Sequence, residues 1–383
     1  MWALPVGAYS QEEVFKKLQT LAIEAEDGDT LFIPAGKFSF NRSLSIDGKK
    51  NMVVMGAGMD QSIISFKNQL DGAEGLKVNQ SEGIRLIGFT LQDAKGDCIK
   101  ILNSSDVYMK SVKTEWTGKP SKKNGAYGIY PVGCRGVIID SCIAIGASDA
   151  GIYVGQSYDV KVTDCLAKFN VAGIEIENCV NAEVYNNIAT QNTGGVLVFD
   201  LPELPQKRGR DIKVYNNHVF DNNHTNFAPK GNIVGEVPPG TGVMVLSSEN
   251  VEIYNNRIIG NRTASVGIVS YHISERKYND PLYNPFSYRV SVHDNEIVKS
   301  AKVPSKQTRV GLLVWFKFKK NTPAILYDGI IDPNMNAGGP AGNENFICIG
   351  NNSDNSFSNL DAANGFKNLS RDPKPFLCKS KNE

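Results

Sequence analysis

The chain has 383 residues, a formal net charge of +1 and 41% hydrophobic residues, enough for a continuous core. The near-neutral charge gives no electrostatic reason to bind nucleic acid or an anionic membrane surface. No run of about 18 apolar residues is present to span a bilayer.

The opening MWALPVGAYSQEE lacks a basic segment followed by an apolar one. The expectation is therefore either a cytosolic protein or one whose signal peptide has been removed. Ser10-Gln11-Glu12-Glu13 reads as a capping box, and Val14, Leu18, Leu21 and Ala22 form one apolar stripe. Residues 1–27 are accordingly predicted to carry a helix that caps an open end. The stretch GDTLFIPAGKFSF, residues 28–40, then reads as a first coil.

From there the chain repeats. A glycine precedes each short apolar strand at Gly128, Gly151, Gly173, Gly195, Gly242 and Gly267, with spacings of 23, 22, 22, 47 and 25. Gly75 and Cys98 share this register upstream, and Gly311 is expected to continue it downstream. Cys142, Cys165, Asn187 and Asn256 form a second ladder, extended by Asn217 and Asn295, and Asn170, Asn192 and Asn261 form a third. Each period holds two or three alternating runs, such as Ile152-Tyr153-Val154 and Val160-Lys161-Val162. Corners carry Gly, Asn and Asp, which tolerate left-handed backbone. One such unit cannot bury its apolar face alone, but a stack can. The predicted fold is all-β: a right-handed parallel β-helix of about ten coils, roughly 50 Å long at about 4.8 Å per coil. It is expected over residues 28–333, closing with TPAILYDGIIDP, and followed by an irregular C-terminal cap or tail over 334–383.

Of seven cysteines, Cys134, Cys142, Cys165 and Cys179 lie within the repeats and read as small core fillers. Cys348 and Cys378 flank the tail and could form a disulfide, which would imply an oxidising compartment. With no CxxC and only four histidines, no metal ligand set is identified.

Departures from the period point to a groove. The insertions at Lys119–Asn124 and Thr225–Pro239 precede the Gly-Ile-x strand of their coils, and those at Leu201–Gly209 and Ile273–Tyr288 follow it. Long loops on a solenoid cost order without adding to the stack, so walls on both sides of this first sheet suggest a binding face. Alternation directs Ile129, Ile152, Ile174, Val196, Val243 and Ile268 inward. It directs Lys77, Lys100, Tyr130, Tyr153, Glu175, Leu197, Met244 and Val269 outward, followed by Glu177 and Phe199, with Tyr271 and His272 leading into the last loop. Rings interspersed with charges suit sugars, which stack on aromatic faces and hydrogen-bond through hydroxyls. Lys207, Arg208, Arg210, Lys230 and His224 would furnish the walls.

An amphipathic helix running into GDTLFIPAG, then coils with VYNN and IYNN corners, resembles the pectate-lyase-like β-helix superfamily over about residues 8–333. Within it the chain is similar to bacterial envelope β-helix repeat proteins related to mannuronan C5-epimerases and to periplasmic proteins of copper-enzyme maturation. The resemblance implies a secreted, periplasmic or cell-envelope location and makes calcium a possible cofactor, with no ligand set to name. The Asp-Pro-His-Asp tetrad of the epimerases is absent; the nearest string, His293-Asp294, falls at a corner.

Two functions follow as expectations. The first is a lyase or C5-epimerase acting on an acidic, uronate polysaccharide or oligosaccharide. Its base would be Tyr153 or His272, its carboxylate neutraliser Lys100 or Arg208, and Glu175 would belong to the same catalytic set. Lys77, Tyr130, Glu177, Phe199, Arg210 and Tyr271 would bind substrate. Hydrolysis is a variant, pairing Glu175 with Asp200 or Glu177. The second is a non-catalytic envelope protein that docks a polysaccharide or a redox or protein partner through Leu197, Phe199, Met244 and GLLVWFKF, residues 311–318, read as a strand.

Overall fold

The computed structural model of the chain describes residues 11–332 and 339–378, so Ser10 of the expected capping box lies outside the described residues. Strands of successive coils pair in parallel into three sheets. One coil consists of Ala150–Gly155 in the first sheet, Tyr158–Thr163 in the second and Leu166–Lys168 in the third. The first and second sheets hold eleven strands each and the third ten, making a right-handed parallel β-helix. Inward side chains of all three sheets, among them Ile152, Val154, Val160, Val162 and Ala167, meet in one apolar core along the axis.

The two asparagine ladders satisfy backbone groups that the corners turn toward this core. Asn192 Oδ1 accepts from the Asn170 amide nitrogen at 2.9 Å and from Asn170 Nδ2 at 3.1 Å. Its own Nδ2 donates to Ala167 O at 2.9 Å and to Asn222 Oδ1 at 2.9 Å. The pattern continues through Asn222 and Asn261 and recurs along Asn187, Asn217, Asn256, Asn295 and Asn352. The glycine ladder exists to make room for it. A Cβ at Gly151 would lie 2.5 Å from Asn170 Nδ2, and one at Gly173 would lie 2.8 Å from Asn192 Nδ2. The first Asn of each VYNN or IYNN corner takes the left-handed conformation, at φ 57° for Asn186, 55° for Asn216 and 53° for Asn255. Asp294 takes the same place at φ 55°, so His293-Asp294 is a coil corner, with the His293 ring stacked on Tyr254.

Helix α1, Gln11–Glu24, closes the N-terminal end by burying Val14, Leu18 and Ala22 against the core. At the other end the glycine register slips. Gly267 pairs with Met244, and Ser265 occupies the glycine slot beside Gly242; Val269 therefore pairs with Leu246. Gly311 is not in a strand. It lies in helix α2, Arg309–Phe318, which is N-capped by Thr308 and buries Gly311, Val314 and Phe318 while exposing Leu312 and Phe316. GLLVWFKF is a short, continuous apolar run that periodicity alone cannot assign. A strand there would expose an apolar face, whereas the helix packs one side and is seeded by its Thr cap. The tail contributes two further strands, Cys348–Gly350 to the second sheet and Phe357–Asn359 to the first. Cys348 and Cys378 form a disulfide.

The long insertions fold over the outer face of the first sheet. Val234 and Val237 of one loop and Tyr271, Ile273 and Tyr283 of another bury Leu197, Phe199, Met244, Leu246 and Val269 in a second apolar cluster outside the barrel. This leaves the first sheet's outer face open mainly at its N-terminal half.

Replacing Asn192 with Ala is expected to lower the unfolding free energy by about 2 kcal/mol or more, because buried donors and acceptors in two neighbouring coils lose their partners. The denaturant midpoint reports it; Lys161→Ala, on an exposed strand face, should leave it unchanged.

Candidate functional site: a tyrosine and carboxylate cluster

Where the open part of the first sheet meets the covered part, three adjacent coils place a cluster of rings and acids. Tyr127 and Tyr130 come from Tyr127–Val132, Tyr153 from Ala150–Gly155, and Glu175 and Glu177 from Ala172–Glu177. Asp149 sits at the corner just before Tyr153's strand. Parallel register sets Lys77 beside Lys100, Lys100 beside Tyr130, and Tyr153 beside Glu175. The rings of Tyr127 and Tyr130 stack at 4.2 Å, and Tyr153 lies 4.9 Å from Tyr130. Gly155 lets Tyr153 fold along its own strand: a Cβ there would fall 2.4 Å from the tyrosine oxygen. The Tyr153 hydroxyl thereby reaches Glu177 Oε1, donating at 2.5 Å.

The carboxyls differ in how they are held. Asn232 of the 225–239 loop donates to Asp149 Oδ2 at 2.6 Å, and Tyr127 also hydrogen-bonds Asp149. Glu177 has Tyr153. Glu175 is 1% exposed, and its Oε2 has no protein partner. Burial drives all three to hold protons more tightly, reinforced by neighbouring acids: Asp97 beside Asp149, Asp149 and Glu177 beside Glu175, and Asp149 and Asp200 beside Glu177. Asp149 rises to about 6 and Glu177 to about 7, and burial pushes Glu175, with no donor to favour its charged form, well above the usual carboxylate range. Asp200, buried after Gly194–Phe199, rises to about 7 for the same reason, its Oδ1 accepting from Gly209 N at 2.7 Å. Tyr153 is pushed far up by burial and by the Glu177 charge.

The other expected residues are spread more widely. Lys77 is half-exposed. Lys100 is ion-paired to Glu74 at 3.3 Å and Asp97 at 3.2 Å, and its ammonium lies 5.3 Å from the Tyr130 ring centre. Phe199 and Tyr271 are buried in the apolar cluster under the loops. Arg208 is exposed on the 201–209 loop, and Arg210 opens the second-sheet strand Arg210–Tyr215. His272 is exposed, its ring 5.2 Å from Phe286. The structure thus gathers Lys100, Tyr130, Tyr153, Glu175 and Glu177, and leaves Arg208, Arg210 and His272 outside the cluster. Sequence reading missed Asp149, Tyr127 and Asn232. Tyr127 and Asp149 stand two and three places before Ile129 and Ile152, the strand residues used for the alternation, so that signal was available. Asn232 comes from a loop whose fold no periodicity describes.

Among the described residues no group of three or more His, Cys, Asp or Glu is arranged to hold a metal ion. The clustered acids, mostly buried and tending to keep their protons, do not fit a calcium site, and no step is derived through one.

Fold and cluster define the chain as a right-handed parallel β-helix protein with buried acids on the outer face of one sheet. Residues 72–202 match the family described as right handed beta helix region. Among solved structures, the chain is similar to the mannuronan C-5 epimerase AlgE4 A-module of Azotobacter vinelandii, with a TM-score of 0.54 and 15% identity over 91% of this chain and 92% of that one. It is also similar to the family 28 exopolygalacturonase of Yersinia enterocolitica, with a TM-score of 0.52 and 11% identity over 82% of this chain and 67% of that one. At such identities the likeness concerns the fold. The pre-neck appendage protein of Bacillus phage B103 is 27% identical over 211 residues, 45% of this chain; the chain spans 24% of that protein's length.

The raised acids set a stability trend. Each keeps its proton in the folded chain at pH values where the unfolded chain has lost it, so their contribution is fully present below about pH 4. It is lost as pH rises through about 6 to 7. The melting temperature should therefore fall by several degrees from pH 5 to pH 8, and Glu177→Gln should flatten that slope.

Proposed function

We propose that the chain is a carbohydrate-active protein that hydrolyses a glycosidic bond at the Asp149, Glu175 and Glu177 cluster. The observation that carries this is the unequal environment of neighbouring carboxyls. Glu175, without a hydrogen-bond donor, is the group that keeps its proton near neutral pH and is the general acid for the leaving oxygen. Asp149, held by Asn232 and Tyr127, ionises first and is the base that draws a proton from the attacking water. Tyr153 donates to Glu177, beside Glu175 on the same strand, and the Tyr127 and Tyr130 rings offer a stacking face. The Asn232 contact ties the 225–239 loop over Asp149, so this loop must lift for a sugar to reach Glu175.

Lyase or C5-epimerase chemistry on a uronate is less well served. Tyr153 is a poor base, because its proton is held more tightly than in free tyrosine and is already engaged by Glu177. Lys100 is engaged by two carboxylates, and His272 and Arg208 stand elsewhere. An acidic polysaccharide is the proposed substrate class, supported by the half-exposed Lys77 at the open end of the face. The near-complete burial of Glu175 favours a second reading, a non-catalytic envelope protein that binds a polysaccharide or a protein partner. The Cys348–Cys378 disulfide supports a secreted, periplasmic or envelope location in either case.

Incubation with alginate, pectate and glycosaminoglycans should release reducing ends without the ultraviolet absorbance of unsaturated products. Glu175→Gln and Asp149→Asn should each cut the rate by about 10² to 10⁴. Unsaturated product would establish a lyase, altered uronate stereochemistry by NMR without cleavage an epimerase, and binding with no product the non-catalytic reading; each of these overturns hydrolysis.

A further inference from the structure

Cations concentrate in one stretch of an otherwise near-neutral chain. Residues 297–327 contain seven lysines and arginines and no aspartate or glutamate. The fold brings three of them, Lys299, Lys302 and Lys320, around one surface pocket together with Arg262, and the pocket encloses about 280 Å³ including its open mouth. The rest of the lining is hydroxyl, amide and small apolar side chains, with no carboxylate among them. Lys299 is bridged to Asp354 at 3.1 Å. Lys302 and Lys320 are exposed, and among the described residues neither has an ion pair.

Arg262 supplies the second observation. It stands between the third-sheet strand Arg257–Ile259 and the first-sheet strand Ala264–Val269, with its backbone N–H held by Asn223 Oδ1 at 3.0 Å. Its Nε is buried and has no hydrogen-bond partner. A buried guanidinium donor left unmade costs free energy, and gathering three lysines beside it adds repulsion. An anion in the pocket would remove both penalties.

We propose that this pocket binds a tetrahedral oxyanion, a phosphoryl or sulfate group. A guanidinium fork makes paired hydrogen bonds to such a group, and the lysines serve as mobile point charges around it. The pocket lies at the same edge of the first sheet as Asp149 but four coils further on, roughly 19 Å away at about 4.8 Å per coil. It is therefore separate from the tyrosine and carboxylate cluster and does not rest on the hydrolytic reading.

Calorimetric titration of the full chain with inorganic phosphate, and separately with sulfate, in a chloride buffer should show saturable binding. Arg262→Gln should weaken it about tenfold or more, as loss of a charge-assisted contact does. The double variant Lys302→Gln with Lys320→Gln, both on exposed side chains, should weaken it comparably, and Lys161→Gln should not. Absence of saturable binding by either anion, or equal affinity in the wild type and both pocket variants, would overturn the proposal. Two further arms identify the natural source. Displacement of phosphate by a sulfated oligosaccharide points to a glycan, and Arg262-dependent sedimentation with phosphatidylglycerol vesicles points to a lipid headgroup; either result supports the pocket.

Discussion

The corners of this rod turn backbone N–H and carbonyl groups toward its apolar core, and at two of the three corners of the later coils stacked asparagines answer that constraint. Each side-chain oxygen accepts from the preceding coil's backbone, and each amide nitrogen donates to a carbonyl and to the next coil's asparagine oxygen, as at Asn187. Because the ladder leaves no space for a side chain opposite, glycine must stand at Gly151, Gly173 and Gly195. Two residue types far apart in the repeat are thus one physical device. Where the device weakens, the register loosens: Ser265 replaces the glycine next to Gly242, and α2 follows within fifty residues.

A rod held this rigidly fixes where outward side chains stand, and that makes the acid cluster possible. Tyr153 and Glu175 are neighbours because hydrogen-bonded strands hold them in register. The insertions then change what the outer face is. Its C-terminal half becomes a second apolar core under two loops, and the acids at its margin are desolvated without being neutralised by nearby cations. Lys100, the nearest candidate, is spent on Glu74 and Asp97. Carboxyls that would be ordinary surface charges on a bare solenoid instead hold their protons more tightly than free carboxyls do. The site is a product of the scaffold and its interruptions together.

Much of this was legible in the sequence. The coil period, the inward rows, both ladders and the capping stripe of α1 follow from short-range rules that the stack repeats many times, so errors in one coil are corrected by the next. Asn222, though not singled out, completes a ladder already visible from Asn170, Asn192 and Asn261. The failures fall where repetition ends. Gly267 and Gly311 matched the glycine spacing only numerically, and the apolar run at 311–318 satisfies strand and helix patterns equally. Phe199 and Tyr271 read as substrate contacts on the assumption of an open groove, and the loops close over them. Arg208 and Arg210 read as one wall, although a second-sheet strand begins between them.

The sequence by itself determined the rod, because coil stacking depends on local alternation and on which residues can sit at a tight corner. Which acids share a buried cluster, which loop reaches Asp149, and which lysines gather around Arg262 were decided only by the tertiary structure. Those groups are brought together by loops and coils distant in the chain, and their charges respond to burial, which no single position in a sequence records.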